Sequence, residues 1–231
     1  MKKITLIFMF LMSVFSHSSI ADAAQQDSMA LSVEQFARAA DQHLIIDTRK
    51  ADDFLKGFVS KSINIGWEGP FDSWMTKVVA NKDTKLLLVI ELGQEKLIVD
   101  KLHALGYTNV IGYLKGGLES WTEAHKPVER IGSVTATQAL EHMQKTEYVY
   151  IDVRTAPEYA KGHVETSLHI PLNTSDFHVD TDPQKTYLLQ CQSGYRSSLA
   201  ASLLYAKGIH NVLNVEGGYR AVSAVKDTEQ K

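Results

Sequence analysis

"VYIDVRTAPEYAKGHVETSLHI" (residues 149–170) repeats, with substitutions, a stretch already written as "LIIDTRKADDFLKGFVSKSINI" (residues 44–65). The two superpose at a constant offset of 105, so that Asp47 meets Asp152, Arg49 meets Arg154, Lys56 meets Lys161, Gly57 meets Gly162 and Ile65 meets Ile170. Further on, "HALGYTNVIGYLKGGLESW" (103–121) parallels "YAKGIHNVLNVEGGYRAV" (205–222) with a one-residue indel. Repeats of about 20–50 residues build solenoids and propellers. This unit is the length of a domain, so the chain is a tandem duplication.

Each copy opens on a hydroxyl residue with glutamine three positions later, Ser32 with Gln35 and Thr135 with Gln138. That is the capping-box pattern that starts a helix. Apolar runs then read as buried strands: "HLIID" and "YVYID", "KLLLVIE" and "TYLLQC", "NVIGYL" and "NVLNVE". Helical stretches at 96–105 and 195–207 alternate with them, and Gly106 and Gly208 are placed to end these in left-handed caps. Alternating strands and helices predict an α/β fold of two domains, each a parallel sheet with helices on both faces. The expected boundaries are 24–127 and 128–231, joined by the polar, proline-bearing "TEAHKPVERIGS" (122–133).

Residues 1–23 read as a signal peptide. Lys2 and Lys3 precede an apolar run at 4–15, and Ala21-Asp22-Ala23 places small residues where a signal peptidase inspects them. The run is shorter than the roughly 20 residues a membrane span needs, and no cysteine lies near the cleavage point. The expectation is cleavage after Ala23 or Ala24 and a periplasmic or secreted product with no membrane anchor. The whole chain has a formal charge of −3, and losing Lys2, Lys3 and Asp22 makes the remainder one unit more acidic. Without a basic block, nucleic acid is not an expected partner. The histidines show no His-x3-His spacing and there is one cysteine, so no metal is implied. Gly112, Gly116 and Gly117 do not form the Gly-x-Gly-x-x-Gly of a dinucleotide site. No cofactor is expected.

The one cysteine sits in "LLQCQSGYRSSLA" (188–200). Exported proteins tend to pair their cysteines, so a single one is a buried bystander, an intermolecular partner or a reactive thiol. Cys191 follows the strand "TYLLQ" and precedes the helix "SSLAASLLYAK", at the carboxyl end of a parallel strand, where α/β folds bind ligands. Loop N–H groups, the positive end of the helix dipole and Arg196 would all favour a thiolate there, and Gly194 gives the backbone room to curl. Copy one reads "LVIELGQEKLIV" (88–99) at this place, with Glu91 set opposite Cys191 and Lys96 opposite Arg196. Phe58 likewise stands for His163 and Gly66 for Pro171. The strand and helix pattern survives without the loop chemistry, so the cysteine loop is not needed for the fold and copy one is a scaffold.

The stretches "DVRTAPEYAKGHVETSLHIPLN" (152–173), "CQSGYRS" (191–197) and "VEGGYRA" (215–221), with "DTRKADDFLKGFVSKSINI" and "LKGGLESW" in copy one, resemble rhodanese (sulfurtransferase) domains. The resemblance covers nearly all of the chain after the leader. It implies an inactive N-terminal domain and a catalytic C-terminal one. In that mechanism Cys191 attacks a small sulfane donor anion such as thiosulfate, forms a persulfide and passes sulfur to cyanide or a thiol. Gln192, Ser193, Gly194, Tyr195 and Arg196 would form the loop that holds the persulfide, with Arg196 orienting an anionic donor. Ser193 and Tyr195 either touch substrate or point to water. Asp152 and Arg154 recur in copy one as Asp47 and Arg49, which marks a structural ion pair. His163 is specific to copy two and is either structural or a direct participant near the loop.

Two other readings fit the same residues. One is a non-catalytic sulfane-sulfur carrier or thiol sensor that serves a protein thiol partner. Trp67, Trp74 and the longer 66–83 segment would then be a docking surface, or else fill a core or the domain interface. The other is a cysteine phosphatase or arsenate reductase. Those resemble Cys-x5-Arg, and Cys191-x4-Arg196 is one residue shorter.

Overall fold

The computed structural model describes residues 28–174 and 177–229, and the expected signal peptide lies outside the described residues. Copy one runs β1 (Ala30–Leu31), α1 (Val33–Ala40), β2 (Leu44–Asp47), α2 (Ala51–Lys56), β3 (Ile63–Asn64), α3 (Phe71–Val78), β4 (Leu86–Val89), α4 (Glu95–Ala104), β5 (Val110–Leu114) and α5 (Gly117–Glu123). Copy two runs β6 (Gly132–Val134), α6 (Ala136–His142), β7 (Tyr148–Asp152), α7 (Ala156–Lys161), β8 (Leu168–His169), β9 (Thr186–Gln190), α8 (Tyr195–Ala206), β10 (Val212–Val215) and α9 (Gly218–Glu229). Both sheets are parallel and have the same order, β1-β5-β4-β2-β3 and β6-β10-β9-β7-β8.

The capping boxes form. Ser32 Oγ accepts from the Gln35 N–H at 3.3 Å while the Ser32 N–H donates to Gln35 Oε1 at 2.8 Å. Thr135 and Gln138 do the same at 3.2 and 2.9 Å. Gly106 and Gly208 take φ of 88° and 82°, the left-handed region in which a Cβ is strained. Central strand β4 is buried along its whole length, as a sheet covered on both faces requires.

The one-residue indel has a structural cause. Leu86 pairs with Val110 but Leu87 pairs with Gly112, so Ile111 is squeezed out as a bulge in β5, whereas β10 pairs with β9 without a break. Gly112 follows the bulge because a Cβ there would lie 2.6 Å from Met29 O, where the β1 edge closes in.

Each copy buries a cluster of its own on one side of its sheet, and on the other side the copies share a larger one. A single buried cluster holds Ile46, Phe58 and Ile63 of copy one together with Ile151, Leu189 and Leu199 of copy two. Trp74 is buried in it, and Trp67 packs against it with its ring edge-on to Phe71 at 5.3 Å. Trp74 therefore fills the interior, and Trp67 is half-buried at its margin. The connecting chain is laced to copy one, with Phe58 and Glu129 exchanging hydrogen bonds at 3.0 and 2.9 Å and the Ile131 N–H reaching Leu55 O at 3.0 Å.

Candidate active site

Cys191 is the first residue after β9, and it is 1% exposed. The chain turns through Gln192, Ser193 and Gly194, whose φ of 116° suits glycine, and enters α8 at Tyr195. The Gly194 N–H donates to Cys191 Sγ at 3.1 Å. Ser197, one turn into the helix, holds its hydroxyl 3.6 Å from the same sulfur. Its single proton is shared among Sγ, Gly194 O at 3.0 Å and Asn214 Oδ1 at 2.7 Å. The first turn of a helix leaves its leading N–H groups without intrahelical partners, and here that turn begins beside the sulfur. Such a cradle stabilises negative charge without free cations at the surface.

Beneath the loop lies a buried polar chain. Tyr150 donates its hydroxyl to Gln190 Oε1 at 2.6 Å, and Gln190 Nε2 donates to Asp152 Oδ2 at 3.0 Å. Asp152 receives Arg154 through Nε and Nη2 at 2.9 and 2.7 Å. Arg154 also reaches Gly162 O at 2.7 Å and Gln192 Oε1 at 3.3 Å, and its guanidinium lies 3.9 Å from the centre of the Tyr219 ring. The Tyr219 N–H donates to Cys191 O at 2.7 Å and the Arg220 N–H to Gln192 O at 3.3 Å. The Gly217-Gly218 turn thus grips the cysteine loop by its backbone. The Asp47–Arg49 pair repeats the ion pair in copy one at 2.6 Å.

Arg196 lies between Glu158 and the Cys191 sulfur. Its fork closes on Glu158 through Nη1 and Nη2, each at 2.6 Å. Those bonds raise the basicity of the guanidinium against the opposing cost of burial, and the neighbouring Cys191 sulfur adds to them. Glu158 is held down to about 2, chiefly by Arg196 and against its partial burial, with Thr155 assisting. The pair braces α7 against the start of α8. Tyr195 turns away from the loop and donates to Gly66 O of copy one at 3.0 Å; burial raises its phenol. Ser193 is exposed and lines a cleft of about 840 Å³ together with Gly194, Glu216, Arg220, Lys56 and Arg130. His163 is exposed and stacks on Tyr159 at 3.9 Å, and Tyr159 stacks in turn on His169 at 4.1 Å. Among the described residues the one hydrogen bond of the His163 ring is to Tyr159 O, at 3.0 Å.

The sheet register corrects the alignment of the two loops by one residue. Asp47 pairs with Val89 and Asp152 with Gln190, so the residue after each strand is Ile90 in copy one and Cys191 in copy two. Gly93 and Gly194, both at positive φ, then coincide. Glu91 stands at Gln192, Glu95 at Arg196 and Lys96 at Ser197, not Glu91 at Cys191 or Lys96 at Arg196. The slip arises because the 66–85 segment of copy one carries α3, which copy two lacks among its described residues, so the offset changes before the loop is reached. The register also exposes residues that sequence reading passed over. Tyr150, Gln190 and Asn214 of copy two correspond to Ile45, Val89 and Tyr113. Polar side chains inside an otherwise apolar strand were the available signal.

A family profile described as "Rhodanese-like domain" matches residues 32–124 and again 135–224. The chain belongs to the rhodanese-like domain family. Among its relatives, Thiosulfate sulfurtransferase 18 of Arabidopsis thaliana is 37% identical over 108 residues, which is 40% of this chain and 79% of that protein. Thiosulfate sulfurtransferase GlpE of Pseudomonas putida is 31% identical over 93 residues, 40% of this chain and 84% of the relative. Among solved structures, the 3-mercaptopyruvate sulfotransferase SseA of Escherichia coli has a TM-score of 0.40 and 18% identity, covering 83% of this chain and 99% of that one. A thiosulfate sulfurtransferase of Pseudomonas aeruginosa has a TM-score of 0.39 and 19% identity, covering 85% of this chain and 42% of the other. The named relatives support sulfurtransferase activity for this tandem rhodanese at the level of the family.

Proposed function

We propose that this rhodanese moves sulfane sulfur from a small anionic donor such as thiosulfate to cyanide or a thiol, through a persulfide on Cys191. The Cys191 thiolate attacks the outer sulfur of thiosulfate, the S–S bond of the donor breaks, and sulfite leaves with the bonding pair. The new persulfide keeps one negative charge on its terminal sulfur. An acceptor nucleophile takes that sulfur, and the Cys191–sulfur bond breaks to restore the thiolate. Splitting the transfer into two displacements gives ping-pong kinetics.

The observation that carries the reading is the sulfur's own setting: Sγ meets the Gly194 N–H at 3.1 Å and the Ser197 hydroxyl at 3.6 Å, at the N-terminal end of α8. Preorganised donors of this kind stabilise a sulfur anion without reorganising during the reaction. The Cys191-x4-Arg196 spacing, one residue shorter than the Cys-x5-Arg of a phosphatase, weighs against that alternative. The expected result is thiocyanate from thiosulfate plus cyanide, with none from Cys191→Ser and no phosphate from an aryl phosphate. Phosphate release without thiocyanate overturns the proposal. Slow turnover with cyanide but fast transfer to a protein thiol would instead favour a carrier. The leader supports export to the periplasm or beyond. N-terminal sequencing of the native protein tests this, with Ala24 or Gln25 as the expected first residue.

A further inference from the structure

The helix whose first turn faces the sulfur is held from the other side by the copy without a cysteine. Tyr195, Ser198 and Ser202 lie along one face of α8, at the spacing that stacks side chains on a helix. Tyr195 donates its hydroxyl to Gly66 O at 3.0 Å. Its ring fills the space above Gly69, where a Cβ would come within 2.0 Å of it. Ser198 Oγ donates to Asn64 Oδ1 at 3.0 Å, and the Asn64 N–H donates to Ser202 Oγ at 3.0 Å. Asn64 Nδ2 donates in turn to the carbonyls of Asp47 and Arg49 at 3.2 and 3.0 Å. Asn64 is buried at the end of β3, so its amide joins the carboxyl end of one sheet to the catalytic helix of the other.

Ser198 is the hinge of this arrangement. Its N–H donates to Gly194 O at 3.0 Å, and Gly194 is the residue whose N–H meets the sulfur. An unbroken line of hydrogen bonds therefore runs from Asn64 Oδ1 through Ser198 and Gly194 to Cys191 Sγ. Sliding α8 along its axis withdraws the Gly194 N–H and the Ser197 hydroxyl from the sulfur together.

We propose that Asn64 and Gly66 are positioning residues, and that the first rhodanese domain sets the height of the sulfur cradle through Ser198 and Tyr195. This rests on Cys191 being the reacting thiol and adds that the silent domain belongs to the catalytic apparatus. The test uses the full chain and three variants of α8. Ser198→Ala and Tyr195→Phe each remove one hydrogen bond to copy one. Tyr205→Phe removes an exposed bond to the connecting chain, from its hydroxyl to Arg130 O at 2.9 Å, ten residues further from the cradle. For the first two, kcat for thiocyanate formation should fall about two- to tenfold, the factor to which one hydrogen bond converts, with KM for thiosulfate unchanged. Ser198→Thr, which keeps the hydroxyl, should recover most of that loss. Tyr205→Phe should keep its kcat whatever urea stability it loses. Alkylation of Cys191 by iodoacetamide at fixed pH should follow the same order, and it needs no sulfur donor. If alkylation keeps the order while wild type makes no thiocyanate, sulfur transfer fails and the positioning role stands. Equal losses in Tyr205→Phe, or unchanged rates in Ser198→Ala and Tyr195→Phe, overturn the proposal.

Discussion

The two Gly-Gly turns of this protein offer a controlled collision. Gly117 and Gly218 hold matching places in the two copies, with φ of 60° and 58°. Alanine at either site pays the left-handed penalty of about 1–2 kcal/mol. The surroundings differ. A Cβ at Gly218 would lie 2.4 Å from Cys191 O, 2.7 Å from the Gln192 carbonyl carbon and 2.8 Å from Ser193 N. All three are backbone atoms of the cysteine loop and cannot rotate aside. A Cβ at Gly117 would lie 3.3 Å from Ile90 O and 3.9 Å from Leu92 Cδ2, which a small adjustment relieves. Overpacking adds about 1–3 kcal/mol where the structure must move, so Gly218→Ala should cost about 2–5 kcal/mol and Gly117→Ala about 1–2. The movement also strains the 2.7 Å bond from the Tyr219 N–H to Cys191 O, and with it the position of the sulfur. Thermal denaturation with thiocyanate formation, measured where both variants stay folded, should show Gly218→Ala slower by at least about tenfold and Gly117→Ala close to wild type. Equal losses of activity in the two variants would refute the claim that copy two's turn grips the reactive loop.

Ser197→Ala removes the hydroxyl beside Sγ and leaves Asn214 Oδ1 without that donor, so stability should fall by about 1–3 kcal/mol and transfer should slow; an unchanged kcat would remove Ser197 from the sulfur's working environment. Glu158 is held down to about 2 from an ordinary 4.5. Its pair with Arg196 therefore contributes fully above the ordinary value and is lost as pH falls through the lower one. Urea midpoints of wild type and Glu158→Gln should converge from pH 5 downward, and a constant gap would contradict this sign. Ile90→Cys placed in Cys191→Ser should make no thiocyanate, because Glu95, Lys96, Val89 and Ile45 stand where Arg196, Ser197, Gln190 and Tyr150 stand in copy two. Thiocyanate from that double variant would mean that the loop backbone alone suffices.

Much of the architecture was legible because it was written twice. Shared apolar runs, capping boxes and glycine stops carry local physics that each copy must satisfy, and the structure places strands and helices there. The two- and three-residue edge strands were not legible, since Ala30–Leu31 or Leu168–His169 is too short for a period to register. Helix α3 was missed because it belongs to one copy only and has no echo to mark it. Cys191 stood out by its place between strand and helix. The roles of Arg196 and Tyr195 did not, because a side chain's partner can lie far away in sequence: Glu158 is 38 residues from Arg196, and Gly66 is 129 from Tyr195. The loop alignment slipped for the same reason, as register is settled by neighbouring strands and not by the segment itself.

Helix α8 is buried continuously from Ser197 to Ser202, and part of that cover comes from the other half of the chain. A duplicated gene ordinarily leaves its redundant half free to be deleted. Here deletion would leave the buried hydroxyls of Ser198 and Ser202 without Asn64. On the proposal above, the half without a cysteine is held to its shape at this face by what it supports in the other half, not by sulfur chemistry of its own. Mutational tolerance should divide along that line: wide at Glu95 and Lys96, where copy one has no sulfur to serve, and narrow at Asn64, Gly66 and Gly69, where it bears on its sibling.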